Sequence, residues 1–155
     1  MTEKEPIIIN HNNKTAKLAT FYIGKDLWGI DILNVQEINK IFDITPVPQS
    51  PDYVKGIINL RGKIVTIIDL GEKLGLSPSK QSADRCNIIV NMQNECIGLM
   101  VDSIQDITII DWNEVEASPA NIESVHEKFL KGVFKTEKSL IGILDLEEVL
   151  GSYNM

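Results

Sequence analysis

The segment Tyr53–Gly75, YVKGIINLRGKIVTIIDLGEKLG, returns without a gap as Phe129–Gly151, FLKGVFKTEKSLIGILDLEEVLG. Lys55-Gly56 matches Lys131-Gly132, Ile67-Ile68-Asp69-Leu70 matches Ile143-Leu144-Asp145-Leu146, and Glu72, Leu74 and Gly75 match Glu148, Leu150 and Gly151. Farther upstream, GIDILNVQEI from Gly29 aligns with GLMVDSIQDI from Gly98, exchanging Glu37 for Asp106. Such self-similarity constrains the fold more than any single motif, because both copies must follow one order of elements. The chain therefore reads as two copies of one small module.

Within each copy the apolar runs are short, rich in β-branched residues and divided by turns, the pattern of a small all-β barrel. In the first copy strands are predicted at 18–23, 27–32, 37–44, 56–60 and 63–68. In the second they are predicted at 87–91, 96–101, 106–110, 132–135 and 139–144, giving five strands per module. Turns fall at Gly24-Lys25-Asp26, Arg61-Gly62, Gln93-Asn94 and Thr136-Glu137-Lys138. Asp69-x-x-Glu72 and Asp145-x-x-Glu148 have capping-box spacing, and Gly75 and Gly151 stand where a helix C-terminus favours glycine, so a short helix follows the last strand of each copy. The duplicated aspartates are read as helix caps, with no substrate needed to explain them. Residues 1–16 read as a flexible N-terminal tail, 17–80 as a first β-barrel subdomain and 81–151 as a second, with a polar linker, LSPSKQSADR, at 76–85. A helix is expected in ESVHEKFLKG.

Function classes are narrowed by what the residues offer. The net charge of −7 disfavours nucleic acid or an anionic membrane surface as partner, because both call for clustered Lys and Arg. No apolar run approaches the roughly 20 residues that span a bilayer. If Cys96 pairs near Asn91 across a hairpin, Cys86 lies on the order of 16 Å away, too far for a disulfide and consistent with a reducing, cytoplasmic setting. The two histidines, His11 and His126, have no evident nucleophile, and the His and Cys residues lack metal-ligand spacing. No glycine-rich phosphate loop is present. Enzymatic activity, a metal and a cofactor are all unexpected.

Comparison of the copies then singles out one hairpin tip, since Asn59-Leu60-Arg61-Gly62 becomes Lys135-Thr136-Glu137-Lys138 while the core positions persist. An arginine adds nothing to a tight turn that prefers Asn or Gly. Two readings stand: a guanidinium fork aimed at a carboxylate, or a solvated surface arginine. Along Ile32–Ile38, Ile32 and Ile38 are expected to pack inward, as Val101 or Ile107 would in the copy, leaving Val35 for a groove between the barrels.

FYIGKDLWGIDILNVQEI followed by VKGIINLRGKIVTIIDLGEKLG resembles the CheW family, over roughly residues 17–151. The resemblance implies an all-β fold of two tandem SH3-like five-stranded barrels. It also implies a non-enzymatic adaptor joining the cytoplasmic tip of chemoreceptors to the regulatory domain of the histidine kinase CheA, in arrays beneath the membrane and without inserting into it. In that family the inter-barrel groove takes the receptor tip through the arginine of the NLRG turn and the valine of VQEI. Carried over by position, the receptor-binding residues are Val35, Glu37, Gly56, Asn59 and Arg61, with Val101 from the second copy. Arg61 is expected to pair with Glu37, whereas Glu137 and Asp106 of the second copy could not pair. The competing reading is a small β-barrel module for another protein or ligand.

Overall fold

The computed structural model describes residues 14–117 and 127–151. It contains eleven strands: β1 (Thr15–Ile23), β2 (Asp26–Asp31), β3 (Val35–Asn39), β4 (Val54–Leu60), β5 (Lys63–Asp69), β6 (Cys86–Met92), β7 (Glu95–Val101), β8 (Ser103–Asp111), β9 (Val115–Glu116), β10 (Leu130–Lys135) and β11 (Leu140–Leu144). Two short helices follow the last strand of each copy, α1 (Leu70–Lys73) and α2 (Leu146–Gly151). All ten strands expected from sequence are present, but the one expected at 37–44 ends at Asn39, and the two-residue β9 is additional. The tail ends sooner than residue 16, because Thr15 and Ala16 pair with Asp111 and Ile110. The first four residues of the helix expected at ESVHEKFLKG lie outside the described residues; the other six form no α-helix but a 3-10 turn at Glu127–Phe129 that leads directly into β10.

The strands form two sheets, in the orders β8-β1-β2-β11-β10-β9 and β3-β6-β7-β5-β4. Each sheet curls closed through one continuous segment. β8 and β9 are joined by a 3-10 turn at Trp112–Glu114 and bound opposite edges of the first sheet, while Thr45 carries the β3 segment across to Ile57 on β4 in the second.

The expected division between residues 80 and 81 is not a division between barrels. Hairpin β1–β2 of the first copy sits in the sheet that holds β8–β11 of the second copy, and hairpin β6–β7 of the second sits with β3–β5 of the first. Two parallel pairings seal the exchange, with Gly29 opposite Ile143 and Gly98 opposite Ile67. These partners are the residues that match between copies, so the two sheets are built by one rule with their leading hairpins traded.

The exchanged hairpins are buried on both faces. Ile88 and Val90 point into the largest apolar cluster, which also takes Phe21, Trp28 and Ile30 from the opposite sheet, whereas the intervening Ile89 points into the interior of its own barrel. Leu18 and Phe21 likewise divide between the first barrel's interior and the shared cluster. Alternate residues of a strand face opposite ways, so a strand covered on both sides reads as the unbroken apolar runs IIV and CIGLMV. Helices α1 and α2 add Leu70, Leu74, Leu146, Val149 and Leu150 to the same shared cluster.

Both caps form as expected, with unequal reach. Asp145 Oδ1 accepts from the Glu148 amide at 3.3 Å. Asp69, which is buried, accepts from Glu72 at 3.1 Å and, with its second oxygen, from Ser79 of the linker at 2.9 Å. Removing it therefore orphans two amides, and Asp69→Ala should cost about 2–3 kcal/mol against about 1 kcal/mol for Asp145→Ala, read from urea unfolding. Equal losses would contradict the second bond. Barrel closure supplies a sharper case: Gly56 has φ +143, and a Cβ there would lie 2.2 Å from the Thr45 carbonyl oxygen. Gly56→Ala should lower stability by roughly 3 kcal/mol or more, measured the same way.

Candidate functional site

The candidate site starts from the turn between β4 and β5. Leu60 pairs with Lys63, and both intervening residues have positive φ, 53° at Arg61 and 83° at Gly62. That backbone suits a twisted two-residue hairpin and disfavours any side chain at the first position. Asn59 Oδ1 accepts the Gly62 amide at 2.8 Å and stabilises the turn that Arg61 must occupy. Arg61 thus stands at a costly position where the local fold has no use for its side chain.

Its use lies across the barrel seam. The guanidinium of Arg61 donates to Glu37 Oε1 in an ion pair, so β3 and the β4–β5 tip are joined at the surface close to where the barrel closes. Glu37 is held from its other side as well, because Asn39 Nδ2 donates to Oε2 at 3.1 Å. Asn39 Oδ1 in turn accepts from the Ile41 amide at 3.1 Å and from the buried Asn87 at 3.2 Å. A polar relay therefore runs from the barrel wall at Asn87 through Asn39 and Glu37 to Arg61, whose side chain remains 67% exposed. The hydrogen bond from Asn39, and then that from Arg61, hold the Glu37 carboxyl below the usual glutamate range.

Beside this relay, a groove of about 560 Å³ opens between the barrels, lined by Ile38, Asn39, Lys40 and Cys86 from the sheet of β3 and by Ser103 and Ile104 of β8 across from them. Ile38 is 44% exposed and Ile104 36%, both unusual for large aliphatic side chains. The Lys40 ammonium donates to the Ala83 carbonyl at 2.7 Å, and burial pushes the Cys86 thiol up, so neither is poised for chemistry. Cys86 and Cys96 are free thiols; Asn91 lies opposite Cys96 in the hairpin, the register that keeps the two apart.

Of the residues expected to meet a partner, the structure pairs Arg61 with Glu37 and sets Asn59 in the same turn, and Asn39, which lines the groove, joins this cluster to it. Val35 is half-buried against the shared core. Two expectations are corrected as surface contacts. Val101 is 0% exposed within that core, because its strand is covered on both faces, and buried Gly56 serves barrel closure. Ile38, expected to pack inward, faces outward, since the register shift between Val35 and Glu37 resets the alternation of β3. Ile104, its neighbour across the groove, was missed; four isoleucines in SIQDITII were the available signal. In the second copy Asp106 Oδ1 accepts the Ile107 amide, and Thr136 Oγ1 accepts the Ser139 amide to organise the turn that holds Glu137.

A carboxyl whose folded pKa is depressed contributes stability above its unfolded pKa and loses it as pH falls through the folded value. The melting-temperature gap between the native chain and Glu37→Gln should therefore be fully present at neutral pH and close at pH values below the usual glutamate range. A gap that widens in acid would contradict the clamp on Glu37.

The CheW-like domain model matches residues 17–154. Chemotaxis protein CheW of Treponema pallidum is 32% identical over 145 residues, covering 91% of this chain and 85% of that protein. Chemotaxis protein CheW of Helicobacter pylori is 32% identical over 139 residues, covering 90% and 84%. CheV3 of the same bacterium is 34% identical over 128 residues, which is 80% of this chain and 41% of CheV3. Among solved structures, scaffolding protein TtCheW from Thermoanaerobacter tengcongensis superposes with a TM-score of 0.80 at 35% identity, covering 87% of each chain. With that match spanning both barrels and the groove between them, the chain belongs to the CheW family of chemotaxis coupling and scaffold proteins, which are not enzymes.

Proposed function

We propose that this adaptor couples the helical cytoplasmic tip of a chemoreceptor to the regulatory domain of the histidine kinase CheA, and that it works in receptor arrays at the inner face of the membrane. The observation that carries the reading is a groove between the barrels whose lining includes partly exposed Ile38 and Ile104, and which Asn39, also in its lining, joins to the Glu37–Arg61 ion pair. An amphipathic helix binds such a groove by seating a few apolar anchors, while one placed charge fixes its register. Ile38 and Ile104 supply the seats, and Arg61 reads a carboxylate or carbonyl on the receptor helix. Val35 supports the groove wall from within, and Asn59 keeps the turn beneath Arg61. The kinase regulatory domain packs barrel against barrel, away from the groove, so one chain holds both partners at once. Among the described residues no helix is long and apolar enough to cross a membrane.

Co-sedimentation of the purified chain with a receptor cytoplasmic fragment and CheA, followed by kinase autophosphorylation, tests this reading. Activation of the kinase that requires this chain is the expected result; a kinase indifferent to it would overturn the coupling role. Arg61→His keeps a residue that tolerates positive φ. It should weaken receptor co-sedimentation roughly tenfold, as for an interface anchor, while the melting temperature moves by no more than about 2 °C. Full binding by that variant would remove Arg61 from the contact.

A further inference from the structure

Beside helix α1 the first copy has a bed that its own chain fills. After Gly75 the linker turns back across the helix: the Leu76 amide donates to the Gly71 carbonyl at 2.7 Å, and Leu76 packs against the shared core. The Ser79 amide then donates to Asp69 Oδ2 at 2.9 Å, and the Lys80 amide to Asp102 Oδ1 at 2.8 Å. Asp69 therefore caps a helix with one oxygen and holds a passing segment with the other.

The second copy repeats the bed. Asp145 matches Asp69, Lys131 matches Lys55, and Met92-Gln93 match Ile23-Gly24. The Asp145 amide donates to the Phe129 carbonyl at 2.8 Å, as the Asp69 amide does to the Tyr53 carbonyl at 2.7 Å, so the two aspartates are set alike. Asp145 Oδ1 caps its helix, yet Oδ2 has no partner among the described residues. At this counterpart of the linker's bed a cleft of about 350 Å³ opens, lined by Asn34, Met92, Gln93, Lys131, Asp145 and Glu147 among others. An adjoining hollow beside Ile97 and Leu150 adds an apolar seat.

Two differences between the copies set the chemistry of an occupant. Glu147 stands where the first copy has Gly71, and a Cβ at Gly71 would lie 2.3 Å from the Ser77 carbonyl oxygen, so a segment in the cleft must pass farther out. Lys55 pairs with Glu72, whereas the Lys131 ammonium lies over the Trp112 ring, 5.9 Å from its centre. Asp145 and Glu147 thus have no cation among the described residues. Two such carboxylates at one cleft favour a positively charged occupant.

We propose that this cleft docks an extended basic segment of a partner protein, with a backbone amide on Asp145 Oδ2 and a Lys or Arg side chain at Glu147. The cleft shares no residue with the groove proposed for the receptor.

The test titrates the isotope-labelled full chain with the synthetic peptide Ac-GLSPSKQ-NH2, which copies residues 75–81, and follows backbone amide shifts. Saturable shifts of the Asn91–Gln93 and Lys131 amides are expected, with a Kd at or below about 1 mM. Binding should weaken at least about tenfold for a peptide carrying Lys80→Glu, for one N-methylated at Ser79, and in the protein variant Asp145→Asn, whose Oδ1 still caps the helix. Unchanged exchange protection of the β10 and β11 amides establishes that this variant is folded. No shifts at about 5 mM peptide, shifts confined to other residues, or full binding by Asp145→Asn would overturn the proposal. Peptide binding that appears only in a chain ending at Gly151 would also overturn it, since residues 152–155 would then be the occupant. Shifts of the same amides with protein concentration alone would do so as well, by making a second copy the occupant.

Discussion

The structure depends on the apolar layer shared by two exchanged hairpins. Phe21, Trp28 and Ile30 on one side meet Ile88, Val90 and Leu99 on the other, and both helices close the margins. Because β1–β2 belongs by sequence to the first copy and by hydrogen bonding to the second copy's sheet, neither barrel can form from its own half of the chain. Burial of large side chains on both faces is the main source of stability here. A groove cut into the margin of such a layer has walls that cannot drift apart without breaking the layer itself.

On that rigid frame the two copies have diverged where folding permits it. Closure requires glycine at 56 and at 132, where a Cβ would strike the crossing segment in either barrel, and both copies keep it. The hairpin tip has no such requirement. In the first copy it carries Arg61 at positive φ, a placement that disfavours the folded turn and is secured by Asn59 beneath it and Glu37 across the seam. Residues held in unfavourable backbone geometry gather where function demands a particular direction of a side chain.

Much of this was legible in the sequence because each strand is bounded by its own turn and the repeat doubles every signal. The Arg61–Glu37 pair was legible too, through the acidic replacements at Asp106 and Glu137. What the repeat could not reveal is which copy each hairpin joins. Gly29 facing Ile143 and Gly29 facing its own copy's Ile67 are equivalent to any pattern of apolar residues, and only the long-range parallel pairing decides between them. The same ambiguity misplaced Val101, whose strand is covered on both faces. Ile38 was misread because a bulge in β3 shifts the alternation by one residue.

Hairpin exchange also bears on the coupling role proposed above. The groove is lined by β3 of one sheet and β8 of the other, which are corresponding strands of the two copies, so a partner seated there would touch both. Each of these strands pairs with an exchanged hairpin, β3 with β6 and β8 with β1. Displacement at the groove therefore bears on both halves of the shared layer together, and a close-packed interior yields as a unit more readily than it deforms locally. Two independent barrels on a flexible linker would absorb the same displacement in the linker. The exchange makes a chain of two small modules act as one solid body between the groove and the outer barrel faces.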